Sequence, residues 1–130
     1  YYRDNIKNPR MVLPKVYDEM AHVWHLFVVR CEDREGVARH LEKNGIQTNI
    51  HYPTPPHLQG AYKEWRDCSY PITEKIHREV LSLPVSPVMT DEEIKAAQAN
   101  IEYDKYEEIY RGTPEKVLQE FVNLKSSKKI

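Results

Sequence analysis

Six histidines, eleven lysines and two cysteines are the side chains with which this chain could do chemistry, and their spacing narrows the options. His22 and His25 resemble a metal pair, but they lie in a stretch that reads as a strand. There a three-residue offset sends side chains to opposite faces, so the two cannot share one ion. Packing or hydrogen bonding is the expected role. His40 and His77 fall among charged neighbours on expected helices and should be solvated. His51 and His57 occupy one loop with Tyr52 beside the first. No cysteine or carboxylate within that loop completes a zinc set. What His51 and Tyr52 do offer is hydrogen bonding, with a positive charge available from histidine near neutral pH, which suits a phosphate or a sugar hydroxyl. Loop structure is the competing explanation, and the residues alone leave both open.

Other chemistries do not assemble. Ser69, Ser82 and Ser86 lie in contexts unlike a nucleophile elbow. Four scattered glycines cannot make a phosphate-cradling loop. Glu92-Glu93 and Glu107-Glu108 read as helical surface, with nothing to set their pKa values apart.

The elements that must position the loop can be read from pattern. Gly45-Ile-Gln-Thr-Asn-Ile-His-Tyr-Pro-Thr-Pro-Pro-His-Leu-Gln59 is a short strand, Ile46 to His51, running into a loop that its prolines stiffen. Before it, His22 to Cys31 reads as the central strand, with Val23, Phe27 and Val29 on one face and Trp24, Leu26 and Val28 on the other. Met11 to Val16 reads as an edge strand, limited by Pro14. Asp33 caps a helix to Asn44 with a Val37, Ala38 and Leu41 stripe, and Gly45 is placed to turn the chain left-handed after it. One helical turn is expected within 59–66. Pro71 starts a helix ending near Val80, with Ile72, Ile76 and Val80 along one side. Leu81 to Val85 follows as a strand. Thr90-Asp91-Glu92-Glu93 is a capping box opening a helix to about Asp104, and Thr113-Pro114-Glu115 starts another. Residues 1–9 read as the end of a helix stopped by Asn8-Pro9. The order implies an α+β (α/β layered) fold, helices packed on a small sheet.

At 130 residues the chain makes about one domain, with 40% hydrophobic and 30% charged residues. A net charge of −1 supplies no field for nucleic acid or anionic lipid. Single-stranded RNA binding through the nine tyrosines fails for want of a basic groove. No apolar run approaches the ~20 residues of a membrane span. Cys31 and Cys68 are expected as reduced thiols in a cytoplasmic protein. The start at Tyr1-Tyr2-Arg3-Asp4-Asn5, without methionine, suggests a piece of a longer protein.

Several blocks carry a family resemblance. They are His22–Arg30, the helix after Asp33, Lys43-Asn44-Gly45-Ile46, His51-Tyr52-Pro53, His57-Leu58-Gln59 with Ala61-Tyr62, Tyr70-Pro71, Glu74-Lys75, Glu79 to Pro84, and Thr90-Asp91-Glu92-Glu93. In this order, from about Met11 to about Ile101, they resemble the C-terminal domain of the DegT/StrS sugar-nucleotide aminotransferases. The resemblance implies the small, mostly antiparallel domain of a fold type I enzyme dependent on pyridoxal phosphate (PLP). It implies transfer of an amino group from an amino acid, usually glutamate, to a nucleotide-linked keto-sugar in polysaccharide or lipopolysaccharide biosynthesis. The cofactor is the electron sink. Such enzymes are homodimers with sites at the subunit interface. The resemblance divides the chain into an interdomain lead-in at 1–10, the small domain at 11–104 and a helical extension at 105–130.

No lysine here matches the family's Schiff-base motif, and the N-terminal PLP domain is missing, so the polypeptide alone should not transaminate or hold the cofactor. His51 and Tyr52 carry over as substrate-binding residues on the sugar-nucleotide side, with His57 as a further candidate. Arg30 is placed either against the donor carboxylate or in a structural ion pair at the strand end. A non-catalytic sugar-nucleotide-binding or oligomerisation module is the rival reading. Tyr103, Tyr106, Ile109 and Tyr110 either pack on the domain or face a partner.

Overall fold

In the computed structural model, which describes residues 1–102, a narrow antiparallel sheet carries helices on one face and the proline loop on the other. Strand β1, Phe27–Arg30, pairs with β2, Val80–Leu83, in the register Phe27 to Leu83 and Arg30 to Val80. Each outer edge gains one bridge. Val12 and Arg30 exchange both backbone bonds, and so do Asn49 and Ser82.

The two expected outer strands, Met11 to Val16 and Ile46 to His51, thus shrink to single bridges, and proline explains both. In the register of Val12 with Arg30, the next bonded pair would set Pro14 opposite Val28. In the register of Asn49 with Ser82, it would set Gln47 opposite Pro84. Neither proline has an N–H to donate, so each ladder stops on that side, and on the other side of the Asn49 bridge Val80, opposite His51, gives its N–H to Ile76 O instead.

Helix α1, Tyr2–Asn5, and α2, Arg34–Lys43, lie with α4, Asp91–Glu102, over the Phe27, Val29, Leu81 and Leu83 face. Val29, Leu41 and Leu81 are fully buried there. Asp33 Oδ1 accepts the Gly36 N–H at 3.0 Å and opens α2. The helix ends as expected, with Gly45 at φ 76°. Its N–H reaches Glu42 O at 2.9 Å, and the Ile46 N–H reaches Leu41 O at 2.9 Å. The capping box forms too: the Thr90 N–H donates to Glu93 Oε2 at 2.8 Å and the Glu93 N–H to Thr90 Oγ1 at 3.2 Å. Asn8 Nδ2 and Gln98 Nε2 donate to Ile101 O and Asn5 O, tying the end of α1 to α4. The expected end of α4 near Asp104, the helix at Thr113 and the 105–130 extension lie outside the described residues.

The central strand is shorter than its pattern. Residues 22–26 turn instead, with Trp24 at φ 49° and its N–H on His22 Nδ1 at 3.0 Å. The His22 and Trp24 rings stack at 4.0 Å, and Trp24 stacks on Phe27 at 5.3 Å. Val23 is consequently 89% exposed. The opposite-face argument for His22 and His25 therefore lapses, because neither sits in a strand. Helix α3, Pro71–Glu79, runs into β2 without a connecting residue. Ile72, at the outer end of its apolar stripe, is 78% exposed, while Glu79 on the same stripe is buried.

Candidate functional site

Because side chains alternate along β2, Leu81 and Leu83 enter the helical core while Val80 and Ser82 face the opposite side. Ser82 is the one hydroxyl in a buried aliphatic strand, and on its side of the sheet stands His51. His51 Nδ1 lies 2.9 Å from Ser82 Oγ, and Nε2 lies 3.4 Å from Asn49 Nδ2. Tyr52 follows through a cis peptide bond, its ring edge-on to His51 at 5.5 Å and 65% exposed. The Tyr52 carbonyl accepts from His77 Nδ1 of α3 at 2.6 Å. His77, expected to be solvated, is thus an anchor of the loop.

Beyond Tyr52 the loop folds into short 3-10 turns, Pro56–Leu58 and Gly60–Trp65, the second kinked at Tyr62. His57 is turned inward, 3% exposed, edge-on to Tyr70 at 4.9 Å. Its Nε2 stands 3.3 Å from Glu74 Oε1, off the line of a hydrogen bond. Glu74 also accepts the Tyr70 N–H at 2.9 Å, so one carboxylate steadies both ends of the segment. Arg30 is elsewhere. Its Nε faces Glu79 Oε2 at 3.3 Å, without hydrogen-bond alignment, and Lys75 Nζ lies 3.6 Å from the other oxygen. The structure therefore gathers His51, Tyr52, Asn49, Ser82 and His77, and leaves His57 behind the loop and Arg30 at the strand end.

Asn49, Ser82 and His77 are the members that sequence reasoning missed. A lone serine in Val80-Leu81-Ser82-Leu83 was the available signal for one of them. Burial shifts two other groups. The Tyr2 hydroxyl, which donates to Pro84 O at 3.1 Å, is pushed up to about 12 by desolvation. The Cys31 thiol rises to about 11, through burial first and then the Asp33 and Glu79 carboxylates. Among the described residues no three His, Cys, Asp or Glu side chains stand together for a metal, and no helix is long and apolar enough to cross a membrane.

The sequence profile of the DegT/DnrJ/EryC1/StrS aminotransferase family matches residues 1–102, which include every element of the sheet and the whole loop. The chain belongs to this family. It is 58% identical over 95 residues to a protein of Aneurinibacillus thermoaerophilus described as dTDP-3-amino-3,6-dideoxy-alpha-D-galactopyranose transaminase, spanning 73% of this chain and 26% of that one. Among solved structures, Streptomyces venezuelae DesV, captured with a ketimine intermediate, aligns with a TM-score of 0.72 at 35% identity, covering 78% of this chain and 28% of DesV. NtdA of Bacillus subtilis, with its cofactor PMP bound, aligns with a TM-score of 0.64 at 29% identity, covering 77% of this chain and 24% of NtdA. The chain thus spans about a quarter of these relatives.

The described residues do not fit a PLP site. Lys7, Lys15, Lys43, Lys63, Lys75 and Lys95 are all exposed, and none points into a sheltered cleft where an imine could be held away from water. A cleft of about 350 Å³ among the described residues is lined by Tyr1, Trp24, Phe27, Val85 and their neighbours, without a lysine.

Proposed function

We propose that the chain is the small C-terminal domain of a PLP-dependent aminotransferase that moves an amino group from an amino acid, glutamate in the family's usual chemistry, to a nucleotide-linked keto-sugar for glycan biosynthesis. Residues 11–104 make this domain, 1–10 lead into it and 105–130 extend it. The cofactor is held by other parts of a longer cytoplasmic enzyme that works as a homodimer, and the chain alone does not transaminate. When bound there, PLP supplies the electron sink. This chain's residues bind and orient.

One observation carries the reading: a half-buried histidine beside an exposed tyrosine, fixed to the sheet by Ser82 and to α3 by His77, in a family whose similar members include a dTDP-sugar transaminase. Polar groups on a stiff loop at a sheet end suit ligand recognition. His51 and Tyr52 face the sugar nucleotide. His57, sealed against Tyr70 and Glu74, supports them by holding the loop. A donor carboxylate at Arg30 would have to compete with Glu79, which favours the structural ion pair for that residue.

The test is His51→Ala in the full-length enzyme. It should raise KM for the sugar nucleotide about tenfold, the loss of about one net hydrogen bond, and leave KM for glutamate within twofold. A larger effect on glutamate would overturn the assignment.

A further inference from the structure

Both ring nitrogens of His51 have neighbours, and the chemistry of those neighbours decides which nitrogen carries the proton. Nδ1 faces Ser82 Oγ at 2.9 Å and Nε2 faces Asn49 Nδ2 at 3.4 Å. The Asn49 amide is not free to turn over. The Ile50 N–H donates to Asn49 Oδ1 at 2.8 Å, which leaves the NH2 end towards the imidazole. An amide NH2 donates and does not accept. Nε2 therefore meets it with a lone pair, and the proton of the neutral ring sits on Nδ1, donated to Ser82 Oγ. Ser82 is buried at 4% exposure, and its backbone exchanges both bonds with Asn49. One bridge thus fixes both partners of the ring.

We propose that Ser82 and Asn49 are positioning residues that hold His51 as the Nδ1–H tautomer, making Nε2 and the Asn49 amide a paired acceptor and donor for a sugar hydroxyl. This rests on the placement of His51 on the sugar-nucleotide side. A hydroxyl entering between them replaces the long 3.4 Å contact, donating to the single Nε2 lone pair while accepting an N–H of Asn49 Nδ2. An ionised phosphate oxygen can only accept, so it would satisfy the amide but oppose the lone pair. The pair accordingly reads the carbohydrate, and the diphosphate is recognised elsewhere.

The test uses the full-length enzyme with 15N-labelled histidine, the His51 signals being assigned by their loss in His51→Gln. Long-range proton–nitrogen correlation at neutral pH should show a protonated Nδ1 and a bare Nε2. Ser82→Ala should abolish that pattern and Ser82→Thr, which keeps the hydroxyl, should restore it. Ser82→Ala should also weaken dTDP-glucose about tenfold while leaving dTDP within twofold. An Nε2–H tautomer or an imidazolium in the wild type overturns the proposal. Equal losses for dTDP-glucose and dTDP overturn the hydroxyl assignment. If the tautomer is as assigned yet His51→Gln leaves dTDP-glucose affinity intact, the binding reading fails and the tautomer stands.

Discussion

Removing Arg30 should destabilise this domain more than neutralising its partner Glu79, because the two ends of the pair are unequally buried. The Glu79 side chain is 10% exposed and that of Arg30 37%. At the observed 3.3 Å, and at an effective dielectric of about 20, the direct attraction is about 5 kcal/mol before desolvation is subtracted. Desolvating the carboxylate offsets about half of that, so a coupling of about 2–3 kcal/mol remains. Arg30→Met strands a buried carboxylate with only the exposed Lys75 for company, at 3.6 Å, and should cost about 2–3 kcal/mol. In Glu79→Gln the guanidinium can turn to water, and the cost should be about 1 kcal/mol. The double variant should resemble Glu79→Gln, since the stranded charge is gone. Urea unfolding of the wild type, both singles and the double closes the cycle. Single-variant costs that add to within about 0.5 kcal/mol would refute the coupling. An Arg30→Met enzyme of unchanged stability but raised KM for glutamate would return Arg30 to the donor carboxylate.

The two thiols should separate: at pH 8 the exposed Cys68 reacts with a disulfide reagent in the folded protein, while Cys31, buried and raised to about 11, stays unmodified until urea unfolds the chain, as timed colour release would show. Alkali should loosen the fold. Tyr2 and Cys31 bind their protons more tightly when folded, from ordinary values of 10.0 and 9.0 up to about 12 and about 11. The stability they contribute is complete below about pH 9 and is lost as pH rises through about 11 to 12, so urea midpoints should fall over that window, and midpoints that stay level would contradict the assigned burial.

The local signals in the sequence were the reliable ones. Asp33, Gly45 and the Thr90–Glu93 box act within four residues of themselves, and each cap formed where its residues stood. The family resemblance was equally legible, since ordered blocks survive any error in element boundaries. Strand ends were not legible, because they depend on partners distant in sequence. That Pro84 would face Gln47, or Pro14 face Val28, follows only from the register. Apolar alternation from Val23 to Val29 resembled one long strand, yet stacking of Trp24 between His22 and Phe27 bent its first half away. Within the site, His51 and Tyr52 stood out by type, whereas Asn49, Ser82 and His77 became visible only once the chain returned to them from 25 to 31 residues away or along the same strand edge.

Helix α3 passes directly into β2, so the anchor for the Tyr52 carbonyl, His77, and the anchor for the His51 ring, Ser82, belong to one uninterrupted span. A single residue inserted between Glu79 and Val80 would reverse the alternation downstream while the strand kept its backbone pairing. Ser82's place beneath the imidazole would then pass to leucine, and the hydroxyl would be driven into the oily interior. This junction therefore tolerates changes of side chain far better than changes of length.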